Sequence, residues 1–482
     1  MNFKNKLFGA AVAFSNLAIA QTSAPTAVFY PQMYANQSVT TSEKISSDFS
    51  AKQRLDQVID RMMTDPVLRN ADWGYVVYNP KTKKIISSFN ENAAFIPAST
   101  TKLLTTDAAM ALLGPKFSWT TQLEYSGEID EQGVLNGNLY IVGSGDPSLG
   151  TGKAGASTYG SVASDFKYAI QERGIRRVNG DIIMQTAVYK DNKLSTLPEN
   201  IVWRELPKYY LPAGSTKDVN PQSERLVATK ALGQSKQRYF YVSPYTGKMA
   251  FTDEYTGGSL STNIAQPPAY LGNSLKASLV KSGIPVSGAV SVKIIDASPE
   301  PRKIITAYRS PLLADIVYDT NQRSDNALAE ALMRMVGFQK YGDHTSESGR
   351  AAVDKHLQEV NFDKNGFNYA DGSGLSRSNY VTPMAQVKFL TEIMEKPYYQ
   401  DFYASLPIGG QTGTLKSWFK DYNNGRIFAK TGTLNRVKAL AGYIQTYQNE
   451  TLVFSMLINN YSGSVDQLKI RMQQLLEPAT EL

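Results

Sequence analysis

Between residues 116 and 299 the chain changes texture. Short strand-like runs, LNGNLYIVG, RVNGDIIMQTAVY and RYFYVSPYTGKMAF, alternate there with Gly, Asn and Pro turns. On both sides the sequence reads as longer helices mixed with apolar strands. A strand-rich middle between two mixed flanks predicts an insertion into one discontinuous domain. The expected division is 51–115 together with 300–482 as that domain, and 116–299 as a β-rich insert.

The flanks give specific elements. SAKQRLDQVIDRMMTD places Leu55, Val58, Ile59 and Met62 at helical spacing. WGYVVYNPKTKKIISSF reads as a hairpin turning at Asn79-Pro80-Lys81-Thr82. TKLLTTDAAMALLG reads as an apolar helix closed by Gly114. After the insert come helical SPLLADIVYDTNQRSDNALAEALMRMVG and MAQVKFLTEIME, then strands VKALAGYIQTY and ETLVFSMLINNY. The last helix, VDQLKIRMQQLLE, carries Val465, Leu468, Met472 and Leu475 on one side, a face for packing on a sheet. Within the insert, Tyr239, Phe240, Tyr241 and Tyr245 could stack on sugars, but sheet packing is the plainer reading.

The first residues read as a targeting segment. Lys4 and Lys6 precede an apolar run from Leu7 to Ile19, and Ala18-Ile19-Ala20 forms a small-x-small cleavage site. Residues 1–20 are therefore expected to be a signal peptide and 21–50 a polar, flexible leader. Export to the periplasm follows as the expectation, with no transmembrane anchor after cleavage. The chain has 482 residues, two histidines and no cysteine, which argues against zinc clusters and thiol nucleophiles. No metal or other cofactor is expected, and a net charge of +7 is too mild to indicate nucleic acid.

Chemistry points to serines and lysines. Ser99 and Lys102 stand at i and i+3 at a helix start, so the amine can reach the hydroxyl. A serine needs a base to become a nucleophile, and a lysine desolvated by burial can be that base. Ser164-Asp-Phe-Lys167, Ser278-Leu-Val-Lys281 and Ser417-Trp-Phe-Lys420 share the spacing, so it selects nothing alone. Ser324-Asp325-Asn326 adds a hydroxyl able to relay a proton and an amide able to hold a carbonyl, although Ser324 read alone is a helix N-cap. Lys430-Thr431-Gly432-Thr433 supplies a cation and hydroxyls suited to a carboxylate, and Gly432 leaves room for a substrate along the strand. The similar GGQTGTL at 409–415 has Gln411 where the lysine would be and reads as a loop. DPSLGTGKA suggests a phosphate loop but has Pro147 in place of its first glycine.

Ser-x-x-Lys, Ser-Asp-Asn and Lys-Thr-Gly in this order resemble the signatures of penicillin-binding proteins and serine β-lactamases. The finer resemblance is to class C (type-4) low-molecular-mass penicillin-binding proteins, the D-alanyl-D-alanine carboxypeptidase/endopeptidases. It rests also on GSGDPSL, LVKSGIPVSG and DGSGLSRSN, and covers the chain from about residue 70 onward, weakening between about 190 and 270. The resemblance implies an α+β fold of the β-lactamase/transpeptidase type: an antiparallel sheet flanked by helices, with inserted β-rich domains. It implies Ser99 as nucleophile, Lys102 as its base, and Ser324 and Asn326 as relay and anchor. Lys430 and Thr431 would bind the substrate carboxylate, with Gly432 beside them. The N–H groups of Ser99 and Thr433 would form the oxyanion hole. The implied partners are peptidoglycan stem peptides and, as covalent inhibitors, β-lactams. The rival readings are a serine β-lactamase and an idle wall-binding scaffold.

Overall fold

The computed structural model describes residues 49–185, 267–293, 300–342, 344–420 and 423–482. It also gives the backbone of strands Ile201–Arg204, Tyr209–Pro212, Leu226–Ala228, Arg238–Val242 and Met249–Phe251. The expected signal peptide, almost all of the leader and Tyr245 lie outside the described residues.

The central sheet has five antiparallel strands in the order Ile427–Leu434, Val437–Gln445, Thr451–Asn459, Asp72–Asn79, Lys84–Phe89. Strands from the two ends of the chain meet in the middle, where Tyr75 pairs with Met456 and Val76 with Ser455. Side chains alternate between the two faces, and both faces are covered. Tyr75 points one way and donates its hydroxyl to the carbonyl of Leu475 in the C-terminal helix Val465–Leu476, 2.8 Å away. Ser455 points the other way and donates to Gln386 Oε1 in helix Pro383–Ile393 at 2.8 Å. Double coverage explains why Val437–Gln445 and Thr451–Asn459 are apolar in nearly unbroken runs, with almost every residue buried.

Helix Ala51–Thr64 buries Leu55, Val58, Ile59 and Met62, the four residues its spacing marks, and starts in a capping box between Ser50 and Gln53. The hairpin joining Asp72–Asn79 to Lys84–Phe89 and the Gly114 stop are also as expected. The C-terminal helix buries Leu468, Met472 and Leu475, but Val465 is exposed. As the first helical residue, after the Ser464 cap, Val465 lies at the edge of the packed face.

The insert has a core of its own. A second five-stranded sheet runs Val290–Lys293, Ile182–Gln185, Leu139–Gly143, Thr120–Tyr125, Lys303–Arg309. Its first three strands are parallel and the rest antiparallel. Helices Tyr159–Glu172 and Pro267–Lys281 pack on it, burying Phe166, Ile170, Leu271 and Leu275. The sheet thus takes in a strand beyond residue 299, and the region includes helices that a purely β-rich reading omits.

Candidate active site

Ser99 does not sit on a regular α-helix. It lies in a 3-10 turn, Ala98–Thr101, that leads into helix Lys102–Leu113. Ala98 has φ 47°, the left-handed region that a residue with a Cβ rarely adopts. Several bonds hold the turn. Thr101 Oγ1 donates to Ala98 O (2.8 Å), and Gln386 Nε2 donates to Thr100 Oγ1 (2.9 Å). Asn459 clamps Ile96, two residues before the turn, accepting from Ile96 N at 2.9 Å and donating to Ile96 O at 3.1 Å. The nucleophile candidate is therefore anchored to the sheet from beneath, with its own side chain half-buried.

Lys102 Nζ is the hub. It lies 3.0 Å from Ser99 Oγ, 2.6 Å from Asn326 Oδ1 and 2.5 Å from the carbonyl of Ser373. The side chain is fully buried, and desolvation pulls its pKa down to about 8, although Glu330, Asp371 and Asp325 oppose the fall. Lys430 Nζ, also fully buried, donates to Ser324 Oγ at 2.7 Å and to Thr431 O at 2.8 Å. Burial, with the charges of Lys102 and Lys438, holds its pKa well below the ordinary lysine value. Two bonds thus join three segments distant in sequence: Lys102 to Asn326, and Lys430 to Ser324. No hydrogen bond joins Ser164 to Lys167, Ser278 to Lys281 or Ser417 to Lys420 among the described residues.

Two details depart from expectation. Ser324 is not an N-cap. It ends helix Leu313–Arg323 in the left-handed conformation, φ 56°, and Asp325 caps the next helix, Asn326–Tyr341, by accepting from Leu328 N. The break between the helices turns both Ser324 and Asn326 toward Lys430 and Lys102. Gly432 opens space for the nucleophile turn itself. A Cβ there would stand 2.5 Å from Pro97 O and 3.1 Å from Ala98 Cβ, so glycine lets the strand lie against the turn. Thr431 donates its hydroxyl to Thr414 Oγ1 (2.7 Å), which brings the GGQTGTL loop onto the third motif. Thr433 is exposed, and its Oγ1 accepts from Lys438 Nζ at 2.6 Å.

Sequence reasoning gave no role to Glu330, Ser373, Thr414, Lys438 or Lys153. Lys153, from the loop that resembles a phosphate loop, pairs with Asp325, and Ala154 N donates to Asp319 Oδ2 at 2.6 Å. The insert thus touches both sides of the helix break carrying Ser324. A signal existed for Glu330, which stands at i+4 from Asn326 on one helix face. Ser373 acts through a backbone carbonyl, which no side-chain motif reveals. Among the described residues no cluster of His, Asp or Glu side chains is placed to hold a metal ion. Nor is any helix among them long and apolar enough to cross a membrane.

This arrangement offers a serine, a buried amine within bonding distance, a second amine on a relay hydroxyl, and a strand edge beside them. It suits acyl transfer through a serine ester. Comparison with known proteins agrees. A model of the D-Ala-D-Ala carboxypeptidase 3 (S13) family matches residues 55–255 and 234–479. The chain is 28% identical to a D-alanyl-D-alanine carboxypeptidase of an Actinomadura species over 84% of its own length and 81% of the relative's. It is 26% identical to the D-alanyl-D-alanine carboxypeptidase DacB of Haemophilus influenzae, over 86% and 91%. Among solved structures, penicillin binding protein 4 of Haemophilus influenzae superposes with a TM-score of 0.63 at 24% identity, covering 89% of this chain and 99% of that one.

Proposed function

The chain belongs to the D-Ala-D-Ala carboxypeptidase (S13) family, a family of serine-type peptidases, and on that premise we propose an exported enzyme that trims peptidoglycan stem peptides through an acyl-enzyme on Ser99. The observation that carries the reading is the single buried network in which Lys102 meets Ser99 and Asn326 while Lys430 meets Ser324. Neutral Lys102 takes the proton of Ser99 Oγ as the oxygen attacks the carbonyl of the penultimate D-alanine. The N–H groups of Ser99 and Thr433 stabilise the oxyanion, since Gly432 lets their segments approach. Ser324 passes its proton to the departing amine of the terminal D-alanine and takes up the one carried by Lys102, which leaves Lys102 neutral again. Water then cleaves the ester with Lys102 as base, restoring Ser99. Thr431 and Thr433 form the hydroxyl-bearing edge for the terminal carboxylate, with the charge of buried Lys430 behind Ser324 and Thr431. A cross-link whose scissile bond is also a D-alanyl amide is cut by the same steps.

The β-lactam complex of the Haemophilus influenzae protein supports extending the reading to β-lactams, whose strained amide meets the same serine. Export rests on the signal-like first residues. Mass analysis of purified muropeptides tests the function. Loss of one D-alanine from uncross-linked pentapeptides, absent with Ser99→Ala, is the expected result. Undiminished release by Ser99→Ala rules the mechanism out.

A further inference from the structure

Lys102 needs something to hold its amine on Ser99 and something to balance its charge when it carries the proton. Both lead to one buried acid. Glu330 is only 6% exposed, one helical turn along from Asn326. Its Oε1 accepts from the N–H of Ser373 at 2.8 Å, and the carbonyl of that same Ser373 accepts from Lys102 Nζ at 2.5 Å. The Ser373 peptide is thus a rigid spacer between acid and amine.

The loop that carries the spacer is pressed between two elements of the site. At Gly372 a Cβ would stand 3.0 Å from Ala329 O, on the helix of Glu330. Gly374 has φ 77°, and a Cβ there would stand 1.9 Å from Ala98 O, beside the nucleophile. Gly374 leaves no room for a side chain and Gly372 little, so the loop lies tightly against both elements. Thr105 Oγ1, on the nucleophile helix, also donates to Gly372 O at 2.7 Å.

The other charges nearby are already engaged. Asp371 accepts from Gly374 N, Ser376 N and Asn379 Nδ2 at 2.7, 2.6 and 2.9 Å. Arg350 bonds Ala370 O and Glu347. Asp325 is paired with Lys153, and Lys430 sits on Ser324. Tyr369 hydrogen-bonds with Thr105. Burial and the neighbouring charge of Asp371 hold the Glu330 carboxyl above its ordinary range, and Glu330 is the foremost of the charges that work against the fall in the Lys102 pKa.

We propose that Glu330 is a positioning residue for the general base: it holds the Ser373 carbonyl on Lys102 Nζ and supplies the counter-charge beneath that amine. The proposal rests on Lys102 being the base and deepens that reading. Contact and charge separate in two variants. Glu330→Gln keeps an oxygen for the Ser373 N–H and removes the charge. Glu330→Asp keeps the charge and withdraws the oxygen from the spacer.

The test is the pH profile of kcat/KM for the full chain on uncross-linked pentapeptide, with benzylpenicillin acylation as a second readout. The wild type is expected to show an ascending limb as Lys102 loses its proton. In Glu330→Gln that limb moves down by about 1 pH unit, because the protonated amine loses its counter-charge. In Glu330→Asp the limb stays and kcat falls about tenfold or more, as the amine is less well held. A wild type with no ascending limb overturns the base assignment itself. A limb unmoved in Glu330→Gln, with only thermal stability lowered in both variants, overturns the positioning role and leaves the base assignment standing. If Glu330→Gln does not fold, an unchanged kcat in Glu330→Asp overturns it alone.

Discussion

Burial sets Lys102 and Lys430 apart from ordinary cations by lowering the pKa of both amines. Lys102, at about 8, must be neutral to accept the Ser99 proton, so activity rises with pH. Below that value kcat/KM should fall roughly tenfold per pH unit, and a flat profile from pH about 6 to 9 contradicts this. Lys430 is shielded from the cleft, and its charge reaches substrate through Ser324 and Thr431. Lys430→Ala should lower kcat/KM for stem peptide about ten- to a hundredfold, the worth of a charge-assisted bond of roughly 1.5–3 kcal/mol. An unchanged kcat/KM refutes its part in binding. Gly432→Ala should cost about 1–3 kcal/mol of stability, because its Cβ would stand 2.5 Å from Pro97 O and neither backbone can retreat freely. Denaturant melting, with acylation rates alongside, checks both consequences.

Helix Asn326–Tyr341 is capped by Asp325, not by Ser324, and that one-residue shift sets the site. Burial alone would raise the Asp325 pKa, but bonds from Lys153 and from the N–H groups of Leu328 and Ala327 bring it below 3.8. The acid therefore stabilises the fold above its unfolded pKa, and the contribution disappears as pH falls through the lower folded value. Asp325→Ala should cost about 1 kcal/mol near neutrality and progressively less below about pH 4, read from urea melts across pH. A difference that persists undiminished in acid contradicts the cap and its ion pair. Such local features were only partly legible in the sequence. Leu55, Val58, Ile59 and Met62 declare their helix because one apolar face repeats every turn. Val162, Phe166 and Ile170 repeat the same way in Tyr159–Glu172, but Gly and Ser around them blur the signal. Lys303–Arg309 belongs to the insert's sheet by pairing with Thr120–Tyr125, and no local pattern encodes a partner so far away. In the site, side-chain motifs announced Ser99, Lys102, Ser324, Asn326 and Lys430. The Ser373 carbonyl and the pairing of Lys438 with Thr433 required the fold.

Among the described residues one large core surrounds the central sheet and another lies in the insert, with the three motifs on the former and Lys153 reaching over from the latter. The proposed mechanism predicts acylation without rapid release of a bulky acyl group. Class A β-lactamases use a glutamate on a separate loop to activate the deacylating water. The nearest match to an E-x-x-L-N segment of that type, EQGVLNG at 131–137, is out of spacing by one residue and leads into strand Val134–Asn136 of the insert with Glu131 exposed. Benzylpenicillin should therefore give one rapid stoichiometric burst and slow turnover, and many fast turnovers would make the protein a β-lactamase instead. The covalent intermediate itself is the most direct measurement. Labelling the folded protein with penicillin, followed by proteolysis and mass spectrometry, should place a single adduct on Ser99, abolished by Ser99→Ala and slowed by Lys102→Ala. An adduct on Ser164, Ser278 or Ser417, or no adduct with catalysis intact, would contradict a serine ester at the centre of this network.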